Sequence, residues 1–490
     1  MAVARSDRLS ALDATFLHIE DHGSAHMHVA SVMTFKGTPP TYDELLDHVT
    51  SRLHLVPRYR RRLAYVPLGQ GRPVWVDDPH FNPRYHIRHS ALPRPGDEQE
   101  LRALAGRLFS QRLDRSKPLW ELWLVERLSD GRFALIAKTH HSLVDGITGA
   151  DLTSVLFDES PNAPPTAPPP QPWAPQPLPG PAKLLADALL ERSTNPDEMR
   201  RGAHALVRGP RHLLGSARDG LAAVGASALA GISAPAPPSP FNTHIGPHRR
   251  YTWVDADLAE FKAIKDVLGG TLNDVLLCAV TLALGSYLRS QGHDTTNLVL
   301  KALVPVSVVH GDSSNGSASP SNDVLAAWAD LPVGLQTPAH CFDEVHLALE
   351  DLAGGDEAIG AGVLADLAGF APSTILSQAA RLQARERQFN VTVINVPGPQ
   401  QPRYLIGRRM LRVYPVVPLG PKQTLGISVM SYAGHLGFGL LGDYDALPGL
   451  ELIADSLRKA IRALATSAGV KPGGGSRTKR SPARRGATPA

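Results

Sequence analysis

Eleven prolines fall between Glu159 and Pro181, three of them consecutive at Pro168, Pro169 and Pro170. Proline has no backbone N–H and a fixed φ, so this stretch is neither a helix nor a central strand. It is read as an extended linker. It divides a 490-residue chain, long enough for two to four domains at roughly 100–200 residues each, into two large blocks. A shorter proline break runs from Ser233 to Pro240. Between the two breaks, Leu184, Leu185, Leu189, Leu206, Leu213 and Leu214 recur at loose helical spacing, interrupted at Asn195-Pro196. The expected organisation is a first block over 1–158, a linker over 159–181, a helical connector over 182–240, a second block over 241–468 and a basic tail over 469–490. The tail's Gly/Ser/Arg/Pro composition predicts disorder.

Both blocks predict mixed α/β structure. In the first, Leu122 to Leu128 and Phe133 to Lys138 read as strands joined by a turn at Ser129-Asp130-Gly131. Ile147, Leu152 and Leu156 suggest a helix after Gly146. In the second, Ala256 to Leu268 and Leu272 to Tyr287 read as helices. Leu298 to Val304, Phe389 to Asn395, Leu425 to Tyr432 and His435 to Leu441 read as strands, the last two turning at Ala433-Gly434. Ile453, Leu457, Ile461 and Leu464 mark a closing amphipathic helix.

Charge narrows the function classes. The chain carries 50 basic and 46 acidic residues, but the last twenty residues hold six basic residues and no acid. Without them the body has 44 basic against 46 acidic residues, which argues against nucleic-acid binding by the fold and leaves only the tail to seek an anionic surface such as a lipid headgroup layer. Two cysteines, Cys278 and Cys341, exclude a disulfide scaffold and a multi-cysteine zinc site and fit a reducing cytoplasm. No secretory signal is expected. The longest apolar run noticed, Leu221 to Ile232, is shorter than the roughly 20 residues a bilayer requires. The expectation is a cytoplasmic protein that lies on a membrane without spanning it.

The sharpest motif is His140-His141-Ser142-Leu143-Val144-Asp145-Gly146, directly after the second predicted strand. A histidine with a pKa near 6.5 is largely neutral at pH 7 and can take a proton from a hydroxyl. A loop after a strand holds such a group rigidly while exposing it. Gly146 leaves space beside the ring. Asp145 has two readings: it fixes the local turn or pairs with a buried Arg, or it caps the following helix.

Three more motifs accompany it: Pro118-Leu119-Trp120, Asn273-Asp274, and Asn395-Val396-Pro397-Gly398-Pro399. Together with the opening Asp7 to Leu17 and Met27-His28-Val29, they resemble the bacterial wax ester synthase/acyl-CoA:diacylglycerol acyltransferases from about Arg8 to about Ala465. The HHxxxDG segment alone is shared with chloramphenicol acetyltransferases and condensation domains. The resemblance implies two chloramphenicol-acetyltransferase-like α/β domains with an active-site channel between them. It implies transfer of a long-chain acyl group from acyl-CoA to diacylglycerol or a long-chain alcohol, at a membrane or lipid-droplet surface, with no cofactor and no metal. By matching position, His141 would be the general base, His140 a supporting residue and Asp145 structural. No GxSxG elbow for a covalent nucleophile is present. An oxyanion donor is required, and Asn273 is the candidate.

Bland readings stand beside these. Thr271 and Asp274 fit a capping box. Pro397-Gly398 suits a type II turn that shapes a channel wall. Trp120 fits core or an acyl-channel lining. His18, His22, His26 and His28 have metal-like spacing but no cysteine nearby. The run Arg58-Tyr59-Arg60-Arg61-Arg62 would suit CoA phosphates or a solvated edge. The chain departs from the family pattern at Ile394, where serine is usual, at Val309, where arginine is usual, and in the polar stretch His310 to Ser321. These departures support a rival reading, a catalytically weak lipid-binding protein; a different acceptor or a carrier-protein thioester is the rival among enzymes.

Overall fold

The computed structural model describes residues 7–21, 23–69, 71–144, 152–169, 171–194, 236–308, 323–354 and 389–471. Asp145, Gly146, Val309, the His310–Ser321 stretch, most of the helical connector and the basic tail lie outside them.

The first block contributes α1 (Ala11–Asp21), β1 (His28–Lys36), α2 (Tyr42–Arg52), β2 (Arg61–Ala64), β3 (Val74–Asp77), β4 (Ile87–Ala91), α3 (Glu98–Phe109), β5 (Trp120–Glu126) and β6 (Arg132–His140). After α4 (Pro181–Thr194) the second contributes β7 (Arg249–Asp257), α5 (Leu258–Leu268), α6 (Leu272–Ser290), β8 (Leu300–Val308), β9 (Asp323–Leu331) and α7 (Pro338–Gly354). It closes with β10 (Val391–Pro397), β11 (Tyr404–Leu405), β12 (Arg408–Val416), β13 (Leu425–Tyr432), β14 (His435–Asp443) and α8 (Leu450–Ser467). The expected strands and helices of both blocks are present, with ends shifted by a few residues. The helix after Gly146 is seen only as Leu152–Leu156.

Two six-stranded sheets organise the molecule. Their orders are β11-β12-β1-β6-β5-β4 and β7-β14-β13-β10-β8-β9. The first sheet takes β11 and β12 from residues well beyond the 241 boundary, so that boundary does not separate the sheets. β12 pairs antiparallel with β1, Ala30 opposite Val416. β1 pairs with β6 along its whole length, His28 opposite His140. Phe133 to Ala137 of β6 are all buried, as expected for a strand covered on both faces.

The helices begin where their caps dictate. Thr41 and Glu44 close a capping box on α2, and Asp97 and Glu100 another on α3. α6 is the apolar centre of the second block, buried from Asp274 to Gly285. By length and composition it could cross a membrane, which differs from the expectation that Leu221 to Ile232 is the longest apolar run. Its position between α7, α8 and the second sheet makes it a core helix.

The proline-rich stretch is laid along the first block. Asp158 bridges Tyr404, the Arg52 side chain binds Asp158 at 2.5 Å and Thr166 at 2.9 Å, and Arg60 lies over the Trp173 ring.

Cys278 and Cys341 are fully buried free thiols. The hydrogen bond with Cys341, and burial, push the Cys278 thiol far up, so reactive thiolate is scarce. Ellman's reagent is expected to find no reactive thiol in the native protein and two after denaturation. Rapid native labelling of either cysteine contradicts this packing.

Candidate active site

The end of β6 builds the site. His140 is the last residue of the strand and His141 the first of a single 3₁₀ turn, His141–Leu143. The His140 ring caps that turn: its Nδ1 accepts the Ser142 backbone N–H at 3.1 Å and lies 2.7 Å from Ser142 Oγ. The backbone N–H of His140 donates to Leu119 O at 2.9 Å, and that of His141 to Met27 O at 2.8 Å. The two histidines therefore hang between the start of β5 and the loop that leads into β1.

The two rings differ in setting. His140 is 1% exposed and faces the protein. His141 is half-buried, with its ring 4.3 Å from that of Phe16. Its Nδ1 is buried without a hydrogen-bond partner among the described residues. Burial, helped by the neighbouring His140, pushes the His141 pKa below 6.5, so the ring is neutral at pH 7 and free to accept a proton.

Beneath the pair lies Glu20, 3% exposed. Its carboxylate accepts the Met27 N–H at 2.6 Å and the Arg115 guanidinium at 2.8 Å. It stands 3.5 Å from Nε2 of both His28 and His140. Burial alone would raise this carboxyl; His140, His28 and Arg115 outweigh it and hold Glu20 well below the usual carboxylate range. Burial and the Lys138 charge keep His28 neutral, and burial with Arg249 and Arg112 pushes His26 down to about 4.

Among the described residues, the accompanying motif that contacts this frame is Pro118-Leu119-Trp120, through the Leu119 carbonyl. Pro118, Leu119 and Trp120 are buried. The Trp120 indole stacks on His86 at 4.6 Å and donates to Tyr59 O at 2.8 Å, so it packs in the core while the Leu119 carbonyl holds His140. Asp274 closes the capping box on α6, accepting the Thr271 N–H at 2.7 Å. It also binds His346 Nδ1 at 2.8 Å, a partner the sequence did not suggest. Asn273 is half-buried beside it on the first turn.

Asn395 and Pro397 end β10, paired in parallel with Val429 and Ser431 of β13. The type II turn expected at Pro397-Gly398 is not formed, since Gly398 has no positive φ. Glycine is required there for space: a Cβ would sit 2.2 Å from Ser431 O. Among the described residues no hydrogen bond or ion pair links the histidine pair, the Asn273-Asp274 turn and the Asn395–Gly398 segment.

Other candidates resolve differently. Arg61 pairs with Asp7 and Asp77, Arg62 approaches Asp78, and Tyr59 is buried, so the basic run is neither a bare phosphate cradle nor a fully solvated edge. No three His, Cys, Asp or Glu side chains converge as a metal site among the described residues; His22 lies outside them. Ile394 is half-buried in β10.

The profile of the wax ester synthase/diacylglycerol acyltransferase catalytic domain matches residues 9–276, and that of the family's C-terminal domain matches 321–465. A probable diacylglycerol O-acyltransferase of Mycobacterium tuberculosis is 32% identical over 94% of this chain and 96% of its own. A putative diacylglycerol O-acyltransferase of the same organism is also 32% identical, over 96% and 92%. The solved wax ester synthase/diacylglycerol acyltransferase of Marinobacter aquaeolei VT8 superposes with a TM-score of 0.65 at 26% identity, covering 94% of this chain and all of that one. A starter condensation domain of rhizomide synthetase, solved with C8-CoA, shares the fold at a TM-score of 0.53 and 15% identity, covering 96% of each. With both family domains matched in order, over a two-sheet α/β fold shared with condensation domains, the chain belongs to the wax ester synthase/diacylglycerol acyltransferase family.

Proposed function

We propose that this protein transfers a long-chain acyl group from acyl-CoA to the free hydroxyl of diacylglycerol, forming triacylglycerol, with His141 as general base. The observation that carries the base assignment is the setting of His141: a neutral ring at a strand end, fixed through its own backbone N–H. Its imidazole takes the hydroxyl proton as the oxygen attacks the thioester carbonyl carbon. The C–S bond then breaks, and CoA leaves as a thiolate that recovers the proton from the imidazolium. A thiol with a pKa near 8.5 is a good leaving group, so one placed base, worth about 10²–10⁴-fold, serves. Holding both substrates in one channel between the domains adds proximity. Asn273 is the proposed oxyanion donor, and Asp145 is proposed to be structural. No cofactor or metal enters this scheme.

Diacylglycerol partitions into lipid, so the enzyme is proposed to work at a cytoplasmic membrane or lipid-droplet surface. A long-chain alcohol is the second acceptor, on the strength of the family's wax ester synthases. The test is CoA release from palmitoyl-CoA with diacylglycerol, and separately with hexadecanol, with products resolved by chromatography. Triacylglycerol is the expected product. Predominant wax ester reassigns the acceptor. Silence with both acceptors, while lipid still binds, replaces the enzyme with a lipid-binding protein.

A further inference from the structure

We infer that Glu20 is the positioning residue of His141, acting through the two groups that hold that histidine in place. The inference rests on the proposed role of His141 as base. The first route is Met27, whose N–H is bound by Glu20 at 2.6 Å and whose carbonyl accepts the His141 N–H at 2.8 Å. The second is the ring of His140. A backbone N–H only donates, so the 3.1 Å bond from Ser142 N requires an unprotonated Nδ1. In the neutral ring the proton then sits on Nε2, which faces Glu20 Oε1 at 3.5 Å. This is an electrostatic contact outside hydrogen-bond geometry, yet it sets the tautomer. The opposite tautomer would turn one N–H against the Ser142 N–H and a lone pair against a buried carboxylate. Glu20 therefore selects the form of His140 that caps the turn carrying His141.

The placement of Glu20 follows from α1. Phe16 and Glu20 are four residues apart and share one face of that helix. Phe16 meets the His141 ring, and Glu20 meets His140 and Met27. Arg115 fixes the carboxylate from the other side and also binds Leu17 O at 2.9 Å and Asp21 at 2.5 Å. Arg115 lies three residues before Pro118-Leu119-Trp120, so the segment that supports His140 through Leu119 also supports it through Glu20.

Glu20→Gln tests this. The amide oxygen still accepts from Met27 N–H and still faces His140, but the carboxylate charge is gone and the amide NH₂ opposes Arg115. We expect kcat to fall about 100-fold, the scale seen when an orienting partner of a functional histidine is lost, with KM for palmitoyl-CoA within about twofold. Glu20→Asp keeps the charge and should retain more of kcat. In a His140→Ala background the effect of Glu20→Gln should largely vanish. A folded Glu20→Gln protein with wild-type kcat overturns the inference, as does a loss confined to KM or undiminished in that background. If Glu20→Gln does not fold, Glu20→Asp decides by the same split. One readout is independent of turnover: ¹⁵N-histidine spectra, assigned against His140→Ala, should show Nε2–H at His140. A wild-type His140 protonated on Nδ1 overturns the relay even if the proposed activity is absent, whereas an inactive wild type with the expected tautomer sinks only the functional reading.

Discussion

Replacing His141 with alanine is expected to lower kcat for acyl transfer by about 10³-fold, within the range of about 10²–10⁴ for a placed general base. The residual rate reflects substrates still held together. The substitution should leave the fold intact, because the ring is half-buried and the backbone bond to Met27 does not involve it. Equal melting temperatures for the two proteins would establish that the loss is chemical. The pH profile carries a second signature. Burial favours the neutral ring, so the His141 pKa lies below 6.5. Only the neutral form accepts a proton; activity is therefore present above that pKa and lost as pH falls through it. In kcat/KM against pH the acid limb should lie below pH 6.5, with a plateau through pH 7 to 8. A fully active His141→Ala protein would remove the histidine from the chemistry. An acid limb well above pH 6.5 would assign it to another group.

What was legible in the sequence was what the chain writes locally. HHxxxDG is contiguous, and the strand–turn–strand before it announces itself through Ser129-Asp130-Gly131 between two apolar runs. The Thr271–Asp274 box is four residues long and forms as expected. The supports of the site were not legible because they are brought together only by folding. Glu20 and Arg115 are 95 residues apart and bind each other from α1 and the segment before β5, with Glu20 facing His140. His28 faces His140 only through the β1–β6 register. Nothing in Asp274 points to His346, 72 residues on. Pro397-Gly398 reads as a turn because Pro-Gly usually makes one, whereas the carbonyl that excludes a side chain at Gly398 belongs to β13. Likewise β12 has no mark showing that it joins the first sheet, since a strand's partner is not written in its own residues.

That crossing of β12 yields the largest expected effect on stability. Gly437 and Gly439 lie on one face of β14, two residues apart, while Phe438 between them points into the core of the second block. A Cβ on Gly437 would sit 2.0 Å from Val413 O, and one on Gly439 1.8 Å from Pro415 O. Neither glycine has a positive φ, so both are there for space: the bare backbone of β14 lets β12, a strand of the other sheet, pack directly against it. The contact is also where β12 meets its polar needs. Pro415 O accepts Ser428 Oγ at 2.8 Å and Tyr251 OH at 3.2 Å, and Tyr414 O accepts Tyr251 OH at 3.0 Å. Gly439→Ala places a methyl against a backbone carbonyl that cannot rotate away, and the Tyr251 hydroxyl lies 2.9 Å from the same point. We expect a loss of about 3 kcal/mol, at the upper end for overpacking, seen as a melting temperature lowered by several degrees. Tyr251→Phe, which removes one hydroxyl without adding volume, should cost about 1 kcal/mol. Gly180→Ala, with nothing within 4 Å of its Cβ, should leave the melting temperature unchanged. The effect should reach the site as well, because β12 flanks β1 and β1 flanks β6, whose last residue is His140. If Gly439→Ala melts with the wild type while Gly180→Ala does too, β12 does not pack against β14 as described, and the two sheets meet by another route.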